Sequence, residues 1–189
     1  MPTNLPRIYW DSCVPLSYIN GYPDRVIHIA PLLQGSGGDY QLITSVLAVV
    51  EVAYAATEQS KNILDAHTLT KIESLWRPGS PILLVEFYQL IGESARALMR
   101  DAILKGWSLR PADAIHLATA DRLGVKEFHT YDHRLDKFRA ITQTQFPICR
   151  PIASNPTLAL SNPQPVLPSE VESSTPAVDI STGRKFKEI

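Results

Sequence analysis

The chain has 189 residues, 44% of them hydrophobic, which is enough for one well-formed core and too little for two ordinary domains. Its formal net charge of -1 offers no global basic field, so a polyanionic partner would have to be held by a local basic patch or by metal ions. Two cysteines, Cys13 and Cys149, make no disulfide framework, and the longest apolar run, Val46 to Ala56, is too short to span a bilayer and contains Glu51. No cationic segment followed by an apolar run opens the sequence, so the expectation is a cytoplasmic protein without a membrane partner.

In chain order, Arg7 to Trp10 reads as a first strand, with Asp11 at its carboxyl end. Val14 to Ile19 suggests a helical turn, and Asp24 is placed to cap a helix from Val26 to Leu33 that Pro31 limits. Gly35 to Gly38 lacks the pattern of a phosphate loop and reads as a linker. Tyr40 to Thr44 suggests a second strand. Ser45 is then expected to cap a helix from Val46 to Ala56, apolar almost all round and hence deeply buried, with Glu51 its only charge. Asn62 to Trp76 reads as an amphipathic helix, Ile82 to Val85 as a buried parallel strand and Tyr88 to Lys105 as a long helix.

The stretch Arg110 to Gly124 is the most explicit. Pro111 suits the first helical position, Asp113 lies in the first turn where the helix dipole favours negative charge, and Gly124 is placed just past the end. Lys126 to Tyr131 then reads as a strand with Asp132 after it, followed by a short helix around Arg134 to Arg139 and a last strand near Phe146 to Cys149. Strands alternating with helices favour a three-layer α/β/α sandwich with a mostly parallel central sheet, comprising residues 1–150. Residues 151–189 are Pro/Ser-rich without apolar periodicity and read as a disordered tail.

Asp11, Glu51, Asp113 and Asp132 therefore lie at ends of elements or interrupt an apolar one. Magnesium and manganese take oxygen ligands, and a pair of such ions is a common clamp for phosphodiester cleavage. A cluster of four carboxylates without metal would repel itself. Singly, each has a bland reading: Asp113 as a helix-start charge, Asp132 as a turn residue, Asp11 as a cap, Glu51 as a side chain reaching solvent or meeting an arginine. His116, three residues after Asp113, reads as a packed or supporting histidine and Cys13 as a buried thiol. Arg122, Lys126, Arg134, Lys137 and Arg139 make the surroundings of Asp132 basic, as a solvated face or as phosphate contacts.

The segments Ile8-Tyr-Trp-Asp-Ser12, Thr44-Ser-Val-Leu-Ala-Val-Val-Glu51, Arg110-Pro-Ala-Asp-Ala-Ile-His-Leu-Ala-Thr-Ala120 and Thr130-Tyr-Asp132 resemble PIN-domain nucleases, particularly VapC-like toxins of type II toxin–antitoxin systems. The resemblance spans roughly residues 7–150, and the tail has no counterpart in it. It implies a PIN fold, metal-binding acids at Asp11, Glu51, Asp113 and Asp132, Mg²⁺ or Mn²⁺, and endonucleolytic cleavage of RNA. It also implies a homodimer and a cognate antitoxin. A haloacid-dehalogenase-like phosphatase would need a second aspartate where Cys13 stands, which leaves a non-catalytic PIN-like binding module as the alternative.

Overall fold

A computed structural model describes residues 5–154; the expected tail lies, from residue 155 on, outside the described residues. Five strands, β1 (Arg7–Trp10), β2 (Gln41–Ser45), β3 (Ile82–Val85), β4 (Glu127–His129) and β5 (Ile148–Cys149), form one sheet in the order β3-β2-β1-β4-β5. All four pairings are parallel, with Ile8 against Leu42 and Tyr9 against Phe128 in register. Parallel neighbours require crossovers, and these carry the helices. They are α1 (Cys13–Ile19), α2 (Pro23–Gly35), α3 (Leu47–Glu51), α4 (Ala56–Lys61), α5 (Ala66–Trp76), α6 (Gln89–Leu104) and α7 (Pro111–Arg122).

Successive side chains of β1 point to opposite faces, so one strand feeds two cores. Tyr9 joins Ile43, Phe128 and the apolar stripes of α6 and α7; Ile8 and Trp10 join Leu42, Ile82 and residues of α1, α2 and α5. The result is the expected three-layer α/β/α sandwich, its sheet covered on both faces. Tyr9 is fully buried and stacks on Phe128 at 5.1 Å, so β1 runs through the interior of the sandwich.

The expected helix from Val46 to Ala56 does not form. Ser45 ends β2, α3 stops at Glu51, and Val50 and Tyr54 are exposed. Val46, Val49, Val50 and Val52 explain the short element: β-branched side chains lose rotamer freedom against the preceding turn. Glu51 consequently sits at a helix end, exposed overall, and not inside a buried apolar rod. A separate short helix, α4, follows at Ala56, and the helix expected from Asn62 begins late, at Ala66, where the Asp65 side chain accepts from the Thr68 N–H at 2.7 Å. Asp24 is not the cap of α2; Pro23 takes the first position, and the helix continues through Pro31 to Gly35. At α7, by contrast, Pro111 opens the helix and Gly124 follows its end with φ +56°. Residues His133–Ile141 form a 3₁₀ segment where a short helix was expected.

In this strand order the chain leaves β1 toward β2 on one side and returns to β4 on the other. The gap between β1 and β4, at the carboxyl edge of the sheet, is where open α/β folds place ligands.

Candidate active site

Asp11 follows β1 directly into that gap. Its N–H donates to the His129 carbonyl at 3.0 Å, extending the β1–β4 pairing by one residue, and it is only 6% exposed. Oδ2 accepts from Thr130 Oγ1 at 2.7 Å and from Cys13 Sγ at 3.1 Å. Thr130 Oγ1 also accepts the Asp132 N–H at 2.9 Å, so one hydroxyl ties the first acid to the backbone of the last. The Cys13 sulfur accepts the Tyr131 N–H, and burial, reinforced by the Asp11 charge, pushes its thiol well above the usual range. Cys13 is a positioning donor, not a nucleophile.

Glu51 reaches the same gap from α3. Its Oε2 lies 2.7 Å from His116 Nε2, and His116 Nδ1 lies 2.7 Å from the Tyr9 hydroxyl. The Ser45 N–H donates to that same phenol oxygen at 2.9 Å, so Tyr9, His116 and Glu51 form one hydrogen-bonded chain in which Nε2–H faces the Glu51 carboxylate. Nε2 is also 3.9 Å from Asp11 Oδ1, with His116 buried to 1% exposure. Burial alone would raise the Glu51 carboxyl, but the His116 hydrogen bond and charge outweigh it and hold Glu51 below its ordinary value. His116 is thus packed and contacted at both ring nitrogens.

Asp113, in the first turn of α7, has no such partner among the described residues. Burial raises its carboxyl above the ordinary value, and the charges of Asp11 and Asp132 raise it further, against smaller opposing effects of Arg110 and Arg134. Asp132, capping the 3₁₀ segment, is turned toward Arg134: Oδ1 accepts from its N–H at 2.9 Å and from Nε at 2.8 Å, while Oδ2 takes both Nε and Nη2. These bonds to Arg134 hold Asp132 below its usual range despite the opposing effect of burial. Three acids therefore feel one another around Asp113, and Glu51 is joined to Asp11 through His116.

Among the described residues, the three side chains whose ligand atoms come within 4.8 Å of one another are not these acids but Glu127, His129 and Cys149. Their bonding argues for a structural role. Trp10 Nε1–H donates to His129 Nδ1 at 3.2 Å, so the neutral ring carries its proton on Nε2, which faces Glu127 Oε2 at 3.0 Å. A metal at Nε2 would have to displace the last ring proton. Sequence reasoning did not single out Tyr9, whose only signal was an aromatic two residues before Asp11, nor the pairing of Arg134 with Asp132.

No curated protein matches the chain. Solved structures with a similar fold include VapBC2 from Rickettsia felis bound to a promoter DNA fragment, at 13% identity and a TM-score of 0.57, covering 75% of this chain and 96% of that one. FitAcB from Neisseria gonorrhoeae is 15% identical, with a TM-score of 0.55 and coverage of 76% and 97%. VapC20 from Mycobacterium tuberculosis, a Sarcin-Ricin loop cleaving toxin, is 14% identical, with a TM-score of 0.52 and coverage of 71% and 94%. The PIN domain family model matches residues 8–141, a span that contains every acid described above, and the chain belongs to the PIN domain family.

Proposed function

We propose that this chain is a metal-dependent endoribonuclease, the toxin of a toxin–antitoxin pair, with Asp11, Glu51, Asp113 and Asp132 as its catalytic acids. The observation that carries the reading is the gathering of acids at the β1/β4 switch point, where Asp11 and Glu51 both face His116 Nε2 and Thr130 Oγ1 ties Asp11 to the backbone of Asp132. The family supports a nuclease, and the toxin assignment is supported by the fold shared with VapBC2, FitAcB and VapC20.

The donor set suits a hard divalent cation. It is all oxygen, and crowding of like charge at Asp113 is what Mg²⁺ or Mn²⁺ would relieve. Asp11, Glu51, Asp113 and Asp132 would hold the ion, with Glu51 and Asp11 both facing His116 Nε2. When bound, it would acidify a water and offset charge on the leaving oxygen. The chain's own residues do the rest. Thr130 and Cys13 fix Asp11, and Tyr9 and His116 fix Glu51. Arg134, exposed beside Asp132, is placed to meet a backbone phosphate. A small antitoxin and a second copy of the chain complete the proposed assembly.

The test is cleavage of a mixed oligoribonucleotide pool by the wild type, Asp11→Asn and Asp113→Asn, in Mg²⁺, Mn²⁺ and EDTA. Metal-dependent cutting by the wild type alone supports the mechanism. Cutting in EDTA, or equal cutting by all three proteins, rejects it, and RNA binding without cleavage in either metal favours a binding module.

A further inference from the structure

On the α1–α2 side of the sheet, the start of α2 and the chain after β5 enclose a cavity of about 270 Å³ lined by Asp24, Arg25, His28, Tyr131 and Arg150, with Pro151 and Ile152 closing one wall. Three separated parts of the sequence meet here, and they bring more donors than the protein satisfies. The Arg25 guanidinium lies 4.3 Å from the centre of the Tyr131 ring and 5.1 Å from that of Tyr22, while Nη1 donates to Ser17 Oγ at 2.8 Å. It is held rigidly, yet among the described residues neither Arg25 nor Arg150 forms an ion pair. The Tyr131 hydroxyl and His28 Nδ1 are buried and have no hydrogen-bond partner among the described residues. Buried polar atoms in that condition cost stability unless a ligand or water pairs them.

The chemistry of the lining selects the ligand. Two guanidinia and a phenol are donors, and the Tyr131 hydroxyl among them is unpartnered among the described residues. Such a set fits the several acceptor oxygens of a phosphate. Asp24 adds one acceptor, suited to a ribose hydroxyl or a base N–H beside that phosphate. The cavity also lies next to the acids. Tyr131 stands between Thr130, whose hydroxyl holds Asp11, and Asp132, so the two sites share the backbone of residues 130–132 as a wall.

We infer that this cavity is a phosphate-binding subsite for a nucleotide of the RNA strand that flanks the scissile bond. The identity of the strand rests on the nuclease reading above; the anion chemistry does not.

The experiment uses the full chain in EDTA, so that nothing is cut, with three probes: inorganic phosphate, adenosine 5′-monophosphate and a fluorescent oligoribonucleotide. Arg25→Gln, Arg150→Gln, the double variant and Tyr131→Phe are compared with wild type. The oligoribonucleotide is expected to bind about tenfold more weakly with each arginine lost. The slope of log affinity against log salt should flatten by about 0.7 per arginine, as for a contact to a single strand. Tyr131→Phe should cost a few-fold. In Mg²⁺ the variants should raise KM and leave kcat near wild type.

Arg150 is exposed and outside every helix and strand, so Arg150→Gln carries the test should Arg25→Gln fail to fold. Unchanged oligoribonucleotide affinity and salt slope in a folded Arg150→Gln protein would overturn the subsite. So would losses confined to phosphate or the monophosphate, which would make the cavity a site for a free small anion. A wild type that binds through these arginines but never cuts sinks the nuclease reading and leaves the subsite standing. A wild type that cuts, with KM unmoved in the arginine variants, does the reverse.

Discussion

Glu51 and Asp113 enter the same gap from opposite sides and are treated in opposite ways. Glu51 arrives at the end of a one-turn helix and meets a buried imidazole whose orientation is fixed by Tyr9 and the Ser45 N–H. Asp113 arrives on a long, well-formed helix, where burial and the charges of Asp11 and Asp132 outweigh those of Arg110 and Arg134. The fold gives one half of the cleft a hydrogen-bond donor of its own and leaves the other half short of one. In the mechanism proposed above, the electrostatic strain sits where the cation would bind, while the relay through His116 keeps Glu51 aimed without one. Such a division lets the acids pack together before any metal arrives.

The sharpest way to break this comparison is Asp113→Asn. Cleavage should fall by about 10³-fold, roughly 4 kcal/mol of transition-state stabilisation. The same protein in EDTA should melt higher than wild type, because the change removes the crowded charge. A lower melting temperature would mean that Asp113 has a partner and that the two halves are alike. Mn²⁺ should raise the wild-type melting temperature, by an amount that grows with the logarithm of its concentration above Kd, and should scarcely move the variant.

On the other half, His116→Ala should reduce activity by about 10–100-fold, the usual scale for a residue that orients a metal-site acid. It should also destabilise, since it strands the buried Tyr9 hydroxyl and leaves Glu51 without its donor. About 2 kcal/mol is expected for the stranded group, or roughly 4–8 °C in melting temperature. His116→Gln, which keeps an amide donor near the Nε2 position, should recover part of the activity. Equal losses in both variants would reduce His116 to a packing residue.

The two halves also differ in how plainly the sequence announces them. The α7 side is written in local chemistry: Pro111 at the first helical position, Asp113 in the first turn, and Gly124 where a left-handed residue is needed. No tertiary contact has to be known to read it. The Glu51 side is not local. Val46 to Ala56 is apolar in composition, but whether that surface is covered depends on neighbours the sequence does not name, and here Val50 and Tyr54 are left exposed. Glu51's partner is 65 residues away, and Arg25, Tyr131 and Arg150 meet only because α2, β4 and β5 fold together. The acids were legible because each ends or interrupts an element. Their bonding partners were not, because strand order brings them together.

A milder probe concerns Arg134, which holds Asp132 from an exposed position. Exposed pairs are screened by solvent and contribute little. Arg134→Gln should therefore leave the melting temperature nearly unchanged while tightening Mn²⁺ binding a few-fold, measured by titration without RNA. Weaker Mn²⁺ binding would show that Arg134 braces Asp132 for the metal, not that it occupies the cation's place.

The smallest effect, and the most direct on the comparison, is the pH dependence of stability in EDTA. Glu51 has a lowered carboxyl, so its contribution is complete above the ordinary value for a glutamate, about pH 4.3, and is lost as pH falls through the folded value below it. Asp113 has a raised carboxyl, so its ionised form is a burden that is absent at low pH and sets in as pH rises from about 3.9 through the folded value. Glu51→Gln should therefore melt below wild type near neutrality, with the gap closing only in strong acid. Asp113→Asn should melt above wild type near neutrality, with its advantage gone by about pH 4. Asp113 is half-buried and partly screened, so the shifts should be a degree or two. The signs decide the matter: two difference curves on the same side of zero would show that the cleft treats its two acids alike, and the idea of a half-paired site would go with them.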